Sequence, residues 1–155
     1  MSLPSAPTMA MYFGAFVGRV AGRIADGAWS DYQLTKNERE HHIHGGNQTF
    51  SQVVWDSQLV KEQDKIGVSF SFVSPDGDNG YPGNLSVTVT YYWTNENVWE
   101  MLITAKSDQE TLFNPTNHTY FNLSGQTKRN VLNHTLQMEA ANYAETNESK
   151  LPTGR

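Results

Sequence analysis

The run L-S-V-T-V-T-Y-Y-W at residues 85–93 constrains the fold more than any other stretch of the chain. Its side chains alternate strictly. Leu85, Val87, Val89, Tyr91 and Trp93 share one face of an extended chain, and Ser86, Thr88, Thr90 and Tyr92 share the other. Such a strand needs a neighbour on each edge and an apolar layer over one face. Residues 66–73, I-G-V-S-F-S-F-V, alternate in the same way, and residues 98–105 follow the turn T-N-E-N at hairpin distance. Together they predict an antiparallel meander. Composition agrees: charged residues are only 17% of the chain, and uncharged Asn, Thr, Ser and Gln stand where a helical bundle would carry Ala, Leu, Glu and Lys. No segment keeps a helical period beyond about three turns. The expected class is all-β with mostly antiparallel strands.

The 155 residues suit one domain with its own core, assigned to residues 11–155, with residues 1–10 as a disordered leader. That leader, M-S-L-P-S-A-P-T-M-A, lacks the charged and apolar regions of a signal peptide. No run reaches the roughly 20 apolar residues of a membrane span. The formal net charge of −5 and the absence of a basic cluster argue against nucleic acid. The chain has no cysteine, which removes disulfides and thiolate metal sites and fits a cytoplasmic location.

Several shorter elements are expected. Residues 11–20 form an apolar segment interrupted by glycines. Two short strands should meet at Asp26-Gly27 as a hairpin, with Arg23 near its start. Residues 53–55 should open a strand, and residues 131–138 should form another. Residues 74–84 are too rich in glycine, proline and aspartate for regular structure, and their acids lack the spacing of a calcium loop. His41, His42 and His44 would offer at most two ligands to one face of a strand, so no metal is expected. His44 precedes Gly45-Gly46, where the backbone can bend and leave room beside the imidazole. Residues 114–125, N-P-T-N-H-T-Y-F-N-L-S-G, read as a short strand placing His118 and Tyr120 on one face. A lone strand histidine is most often a structural residue. The six N-x-S/T triplets are a by-product of an Asn- and Thr-rich composition. Two imidazoles, a guanidinium and aromatic faces suit a neutral polyhydroxylated ligand, whose hydroxyls need donors and acceptors and whose C–H faces pack on rings.

Five motifs narrow that class. Y-F-G-A-F-V-G-R-V-A-G-R-I, I-H-G-G, S-P-D-G-D-N-G-Y-P-G-N-L-S-V-T, N-P-T-N-H-T-Y-F-N-L-S-G and the terminal L-P-T-G occur in that order. They closely resemble the aldose 1-epimerase (galactose mutarotase) family. The resemblance implies a galactose mutarotase-like β-supersandwich, here about half of it, that interconverts the α and β anomers of a free aldohexose such as galactose or glucose with no cofactor and no metal. It implies that His118 is the general acid toward the ring oxygen and that His44 holds the sugar near that atom. Arg23 would bond sugar hydroxyls, and Thr119 and Tyr120 would line the pocket.

Two departures from the family pattern carry consequences. Gly22 stands where the family has an asparagine that contacts the sugar. Family members also run to about twice this length, and their catalytic glutamate and a sugar-binding aspartate lie in the second half. The resemblance therefore implies an acid without its base, and strand edges and apolar faces left for self-association or a complementary C-terminal half. An alternative is a non-catalytic carbohydrate-binding or sugar-sensing domain. A sugar-phosphate relative is disfavoured because no arginine cluster is present.

Overall fold

The computed structural model describes residues 12–125 and 129–154. The expected leader at residues 1–10 lies outside them. Ten strands follow in order: β1 (Phe16–Val17), β2 (Arg23–Ile24), β3 (Ala28–Trp29), β4 (Tyr32–Gln33), β5 (His42–Ile43), β6 (Asp56–Lys61), β7 (Lys65–Ser74), β8 (Leu85–Thr94), β9 (Trp99–Ser107) and β10 (Thr116–Asn117). The last four of any length, β6-β7-β8-β9, form the expected antiparallel meander. Three two-stranded ladders, β1 with β10, β2 with β5 and β3 with β4, complete the pairing and are likewise antiparallel. Among the described residues no helix is long and apolar enough to cross a membrane.

Register explains where the core sits. Val87 lies opposite Phe72 and Ala105, and Val89 opposite Phe70 and Ile103, so one face of the sheet is apolar across its strands. Phe16 and Phe50, stacked at 5.8 Å, cover Leu85, Val87 and Val89, with Trp55 and Phe113 packed beside them. The cover stops at Tyr91. Beyond it the same face continues through Leu59 (81% exposed), Ile66 (55%), Trp93 (52%) and Trp99 (44%). The alternation of residues 85–93 is therefore complete in orientation but only partly realised as burial.

Four local expectations need correction. Asp26 (φ 54) and Gly27 (φ 62) form a 3-10 turn rather than a hairpin, and it redirects β2 away from β3. β2 pairs with β5 instead, and the hairpin forms between β3 and β4 around Ser30-Asp31. A Cβ at position 27 would lie 2.7 Å from the Leu34 carbonyl oxygen, so the turn depends on glycine there. Residues 53–55 precede the strand rather than open it. Trp55 turns its indole N–H to the Phe50 carbonyl at 2.9 Å, and β6 begins at the next residue. Residues 131–138 form no strand, because alternation supplies a face and nothing among the described residues supplies the partner edge. Residues 114–125 contribute only β10 to the ladders, and backbone pairing with the segment before β1 ends with the hydrogen bonds of His118 to Ala15 and Gly14.

The glycine-rich loop at residues 74–84 is ordered around Arg19, which is 2% exposed. Its guanidinium donates to the carbonyls of Ser74, Pro75, Pro82 and Gly83 at 2.9–3.0 Å, and to the hydroxyls of Ser74 and Thr111. Ser74 passes its own hydroxyl hydrogen to Asp78. We expect Arg19→Met to lower the unfolding free energy by at least about 3 kcal/mol, since four carbonyls lose a charged donor at roughly 1–3 kcal/mol each. A urea titration followed by tryptophan fluorescence checks this, and an unchanged midpoint would contradict it.

Candidate active site

The two-stranded ladders assemble the site. Pairing of β2 with β5 sets Arg23 opposite Ile43, one residue before His44. His44 adopts φ 51, followed by Gly45 at 92 and Gly46 at 105. Left-handed backbone is unusual for histidine, and here it is held from outside. Asn37 donates to the carbonyls of Ile43 and Gly46 and accepts from the Ile43 N–H. A Cβ on Gly45 would fall 1.6 Å from the Gly18 carbonyl oxygen, so only glycine lets the chain pass there.

His118 arrives from the other side. After β10 its N–H donates to the Ala15 carbonyl at 2.7 Å, and its carbonyl accepts from Gly14 at 3.1 Å. The His44 and His118 rings come within 5.1 Å at an interplanar angle of 84°. Tyr12 stacks on His118 at 5.7 Å and meets His44 edge-on at 4.9 Å, while Tyr120 lies 5.0 Å from His118. These rings bound a cleft of about 540 Å³, lined also by Arg23, Asn37, Glu38, Asn47, Gln52 and Lys150. Neither ring nitrogen of His118 has a hydrogen-bond partner among the described residues, so the imidazole is available to a ligand.

His44 is differently placed. Its Nδ1 accepts the Gly22 N–H at 3.2 Å, which puts the proton of the neutral ring on Nε2. Burial drives its pKa down to about 4, with repulsion from His118 and Arg23 adding and Glu38 opposing. It is thus a neutral N–H donor. His42, two residues earlier, has the opposite tautomer. Its Nδ1 bonds the Thr35 carbonyl at 2.7 Å and its Nε2 the Tyr81 hydroxyl at 2.6 Å. His41 accepts from the Asp26 N–H. The three histidines of this segment therefore face three different environments rather than sharing strand faces.

Arg23, His44, His118 and Tyr120, singled out in the sequence, converge on this cleft. Thr119 does not line it. Its hydroxyl and N–H both turn to the Asn117 side-chain oxygen and cap the turn that carries His118. Tyr12, Asn37 and Glu38 were not anticipated. Tyr12 belongs to an apolar run that gives no sign of a role, and the other two act through partners that become near only after folding. Glu38, the only carboxylate in the lining among the described residues, gives both oxygens to Arg23. That bond is the main cause holding its pKa below the ordinary carboxylate value.

An all-β scaffold presenting two imidazoles, a guanidinium and tyrosine faces around a small polar cleft defines a protein that holds a small polar molecule. Comparison with known proteins identifies the family. A family model described as aldose 1-epimerase matches residues 3–155, and the chain belongs to that isomerase family. It is 41% identical over 149 residues to the galactose mutarotase of Homo sapiens, covering 92% of this chain and 42% of that protein. To the aldose 1-epimerase of Haemophilus influenzae it is 38% identical over 151 residues, covering 94% and 43%. Among solved structures, a galactose 1-epimerase from Lactobacillus acidophilus superposes with a TM-score of 0.70 at 42% identity, covering 73% of this chain and 35% of that one. An aldose epimerase homologue from C. elegans gives 0.78 at 32% identity, covering 94% and 44%. The all-β, mutarotase-like fold expected from the sequence is borne out. The chain spans less than half the length of these relatives.

The His44 environment has a measurable consequence. An unfolded chain's imidazole takes its proton near 6.5, and His44 in the fold only near 4. Its contribution to stability is therefore full above 6.5 and is lost as the pH falls from there toward 4. Ring-nitrogen NMR should show the Nε2–H tautomer with a titration midpoint near 4. A midpoint near 6.5 would contradict the assignment.

Proposed function

We propose that this chain carries the proton-donating wall of an aldose 1-epimerase site and binds a free aldohexose such as galactose or glucose. The observation that carries the reading is the pair of imidazoles 5.1 Å apart in a cleft with Arg23, one of them without a partner and the other a neutral donor. Two such groups side by side in one cleft suit the ring oxygen of a cyclic sugar. His118 gives its proton to that oxygen as the C1–O5 bond breaks, while the C1 hydroxyl loses its proton to a carboxylate base. The aldehyde formed at C1 rotates, and reclosure gives the other anomer. His44 donates from Nε2 to the same oxygen, Arg23 bonds ring hydroxyls, and Tyr12 and Tyr120 offer flat surfaces to the C–H faces. Thr119 holds the His118 turn through Asn117.

The base is not among the lining groups described. Glu38 is occupied by Arg23, and the relatives are more than twice as long. The uncovered end of the sheet supports the same conclusion, since Leu59, Ile66, Trp93 and Trp99 make an apolar surface suited to a complementary C-terminal half or a second copy. Alone, the chain should turn over about 10²–10⁴-fold more slowly than a site with its base. Polarimetry of freshly dissolved α-galactose checks this, and a turnover number typical of an efficient enzyme would sink the proposal. That no described residue of the lining offers a free carboxylate also favours a second reading, a carbohydrate-binding domain without turnover. His118→Ala separates the two: residual turnover should vanish with binding largely kept in the first case, and there is none to lose in the second.

Gly22 offers a gain-of-function check. It sits at φ 76 with nothing within 4 Å of a would-be Cβ. Asparagine tolerates that backbone region better than other side chains. Gly22→Asn should tighten galactose binding by about three- to tenfold, the effect of one net hydrogen bond. Calorimetric titration reads it, and weaker binding would count against the assigned pocket wall.

A further inference from the structure

Glu38 has no part in the proton transfers above, yet it is built into the cleft. Its backbone forms a closed turn with His41, N–H to carbonyl in both directions at 3.1 and 3.0 Å, with Arg39 at φ 55 inside the turn. That turn is tied to the Ala25–Gly27 turn through the Asp26 N–H and the His41 ring. The carboxylate is thus delivered from an anchored backbone and not from a free surface side chain. It takes Nε of Arg23 at 2.5 Å and Nη2 at 2.9 Å. This side-on, two-point pairing fixes the guanidinium plane. It leaves Nη1 with both of its N–H groups uncommitted among the described residues. The arginine is the more buried partner, with its side chain 19% exposed against 39% for Glu38.

Two consequences follow for a ligand. The free edge of Arg23 is presented in a set orientation, which suits a pair of neighbouring hydroxyls. Its charge is also cancelled at contact distance, so an anionic group meets a zwitterion where it would otherwise meet a bare cation. We propose that Glu38 is a specificity-determining residue of this cleft: by latching Arg23 it selects neutral aldoses over aldoses that carry a carboxylate. This rests on the sugar-binding reading above and deepens it. Glu38 acts through Arg23 and is a positioning residue, not a catalytic one.

The test compares equilibrium binding of galactose and galacturonate to the full chain, to Glu38→Gln, to Arg23→Ala and to the double variant. Glu38→Gln should weaken galactose and strengthen galacturonate, shifting their affinity ratio by at least about tenfold, the effect of uncovering one unit charge in a partly solvated site. In the Arg23→Ala background the same substitution should leave the ratio unchanged. A ratio that does not move in the first background, or moves equally in both, overturns the proposal. Carboxyl NMR of Glu38 adds a readout that needs no sugar. Its midpoint should lie below the ordinary glutamate range in the native chain and return to it in Arg23→Ala, and a native midpoint in the ordinary range overturns the latch. If the native chain binds neither sugar, the sugar-binding reading itself falls, and the selection proposal falls with it. Binding with an unchanged ratio removes only the role given to Glu38.

Discussion

The buried guanidinium of Arg19 is the interaction on which the remaining structure depends. Five N–H groups in a rigid plane are shared among four carbonyls and two hydroxyls, and all of those acceptors except the Thr111 hydroxyl come from the two ends of the loop between β7 and β8. Burial pushes its pKa down, and Asp78, Tyr81 and Asp76 oppose that shift. The loop contains three glycines and two prolines and has little regular structure to hold it. Around a fixed planar donor its carbonyls acquire a common centre, and turn-rich backbone becomes a rigid wall. The Arg19 backbone serves a second purpose: its carbonyl accepts from Asn114, and Ala21 donates to the Asn114 carbonyl. One residue therefore joins the sheet to the segments that lead to Arg23 and to His118.

From Arg19 a short polar chain runs toward the cleft. The guanidinium lies 5.4 Å from the centre of the Tyr81 ring, the Tyr81 hydroxyl meets His42, and His42 ends on the Thr35 carbonyl. Burial raises the pKa of Tyr81 and lowers that of His42, so both stay neutral and their hydrogen bond keeps a single direction. His42 and His44, two residues apart, thus hold their protons on opposite nitrogens for different reasons. The first is saturated by protein and serves the frame. The second has one nitrogen saturated by Gly22 and one left for the cleft. A histidine-rich run that suggests metal by composition is divided by its hydrogen bonds into a member tied to the frame at both ring nitrogens and a member with one nitrogen left open to the cleft.

Local patterns were legible in the sequence, and long-range partners were not. The meander could be read because alternation is a property of neighbours in sequence, which β7 and β8 carry, and because β9 follows β8 at hairpin distance. The ordered motifs pointed to Arg23, His44, His118 and Tyr120, which meet in one cleft, and also to Thr119, whose hydroxyl turns instead to Asn117. Arg19 gave no signal, because its acceptors are mostly backbone carbonyls, which any residue can supply, up to 64 positions away. Asp26-Gly27 carried a hairpin signal. Left-handed φ at both residues is equally compatible with a turn that sends the next strand elsewhere, and tertiary pairing of β2 with β5 decided the outcome. Residues 131–138 show the limit from the other side, since a face without a partner edge makes no strand.

The sheet and the cleft are mechanically connected at Tyr91, where the apolar cover ends. Its ring stacks on Trp99 at 5.8 Å with an interplanar angle of 18° and meets Phe70 edge-on at 6.1 Å. Its hydroxyl accepts from the Asn117 side chain at 3.4 Å. Asn117 in turn caps Thr119 and directly precedes His118. A layer placed over Trp93 and Trp99 would bear on the Tyr91 ring from the exposed side and restrict it against Phe70. The hydroxyl would then hold Asn117 in one position, and the His118 turn with it. Covering the bare end of the sheet and steadying the His118 turn are in this arrangement linked through two side chains, Tyr91 and Asn117.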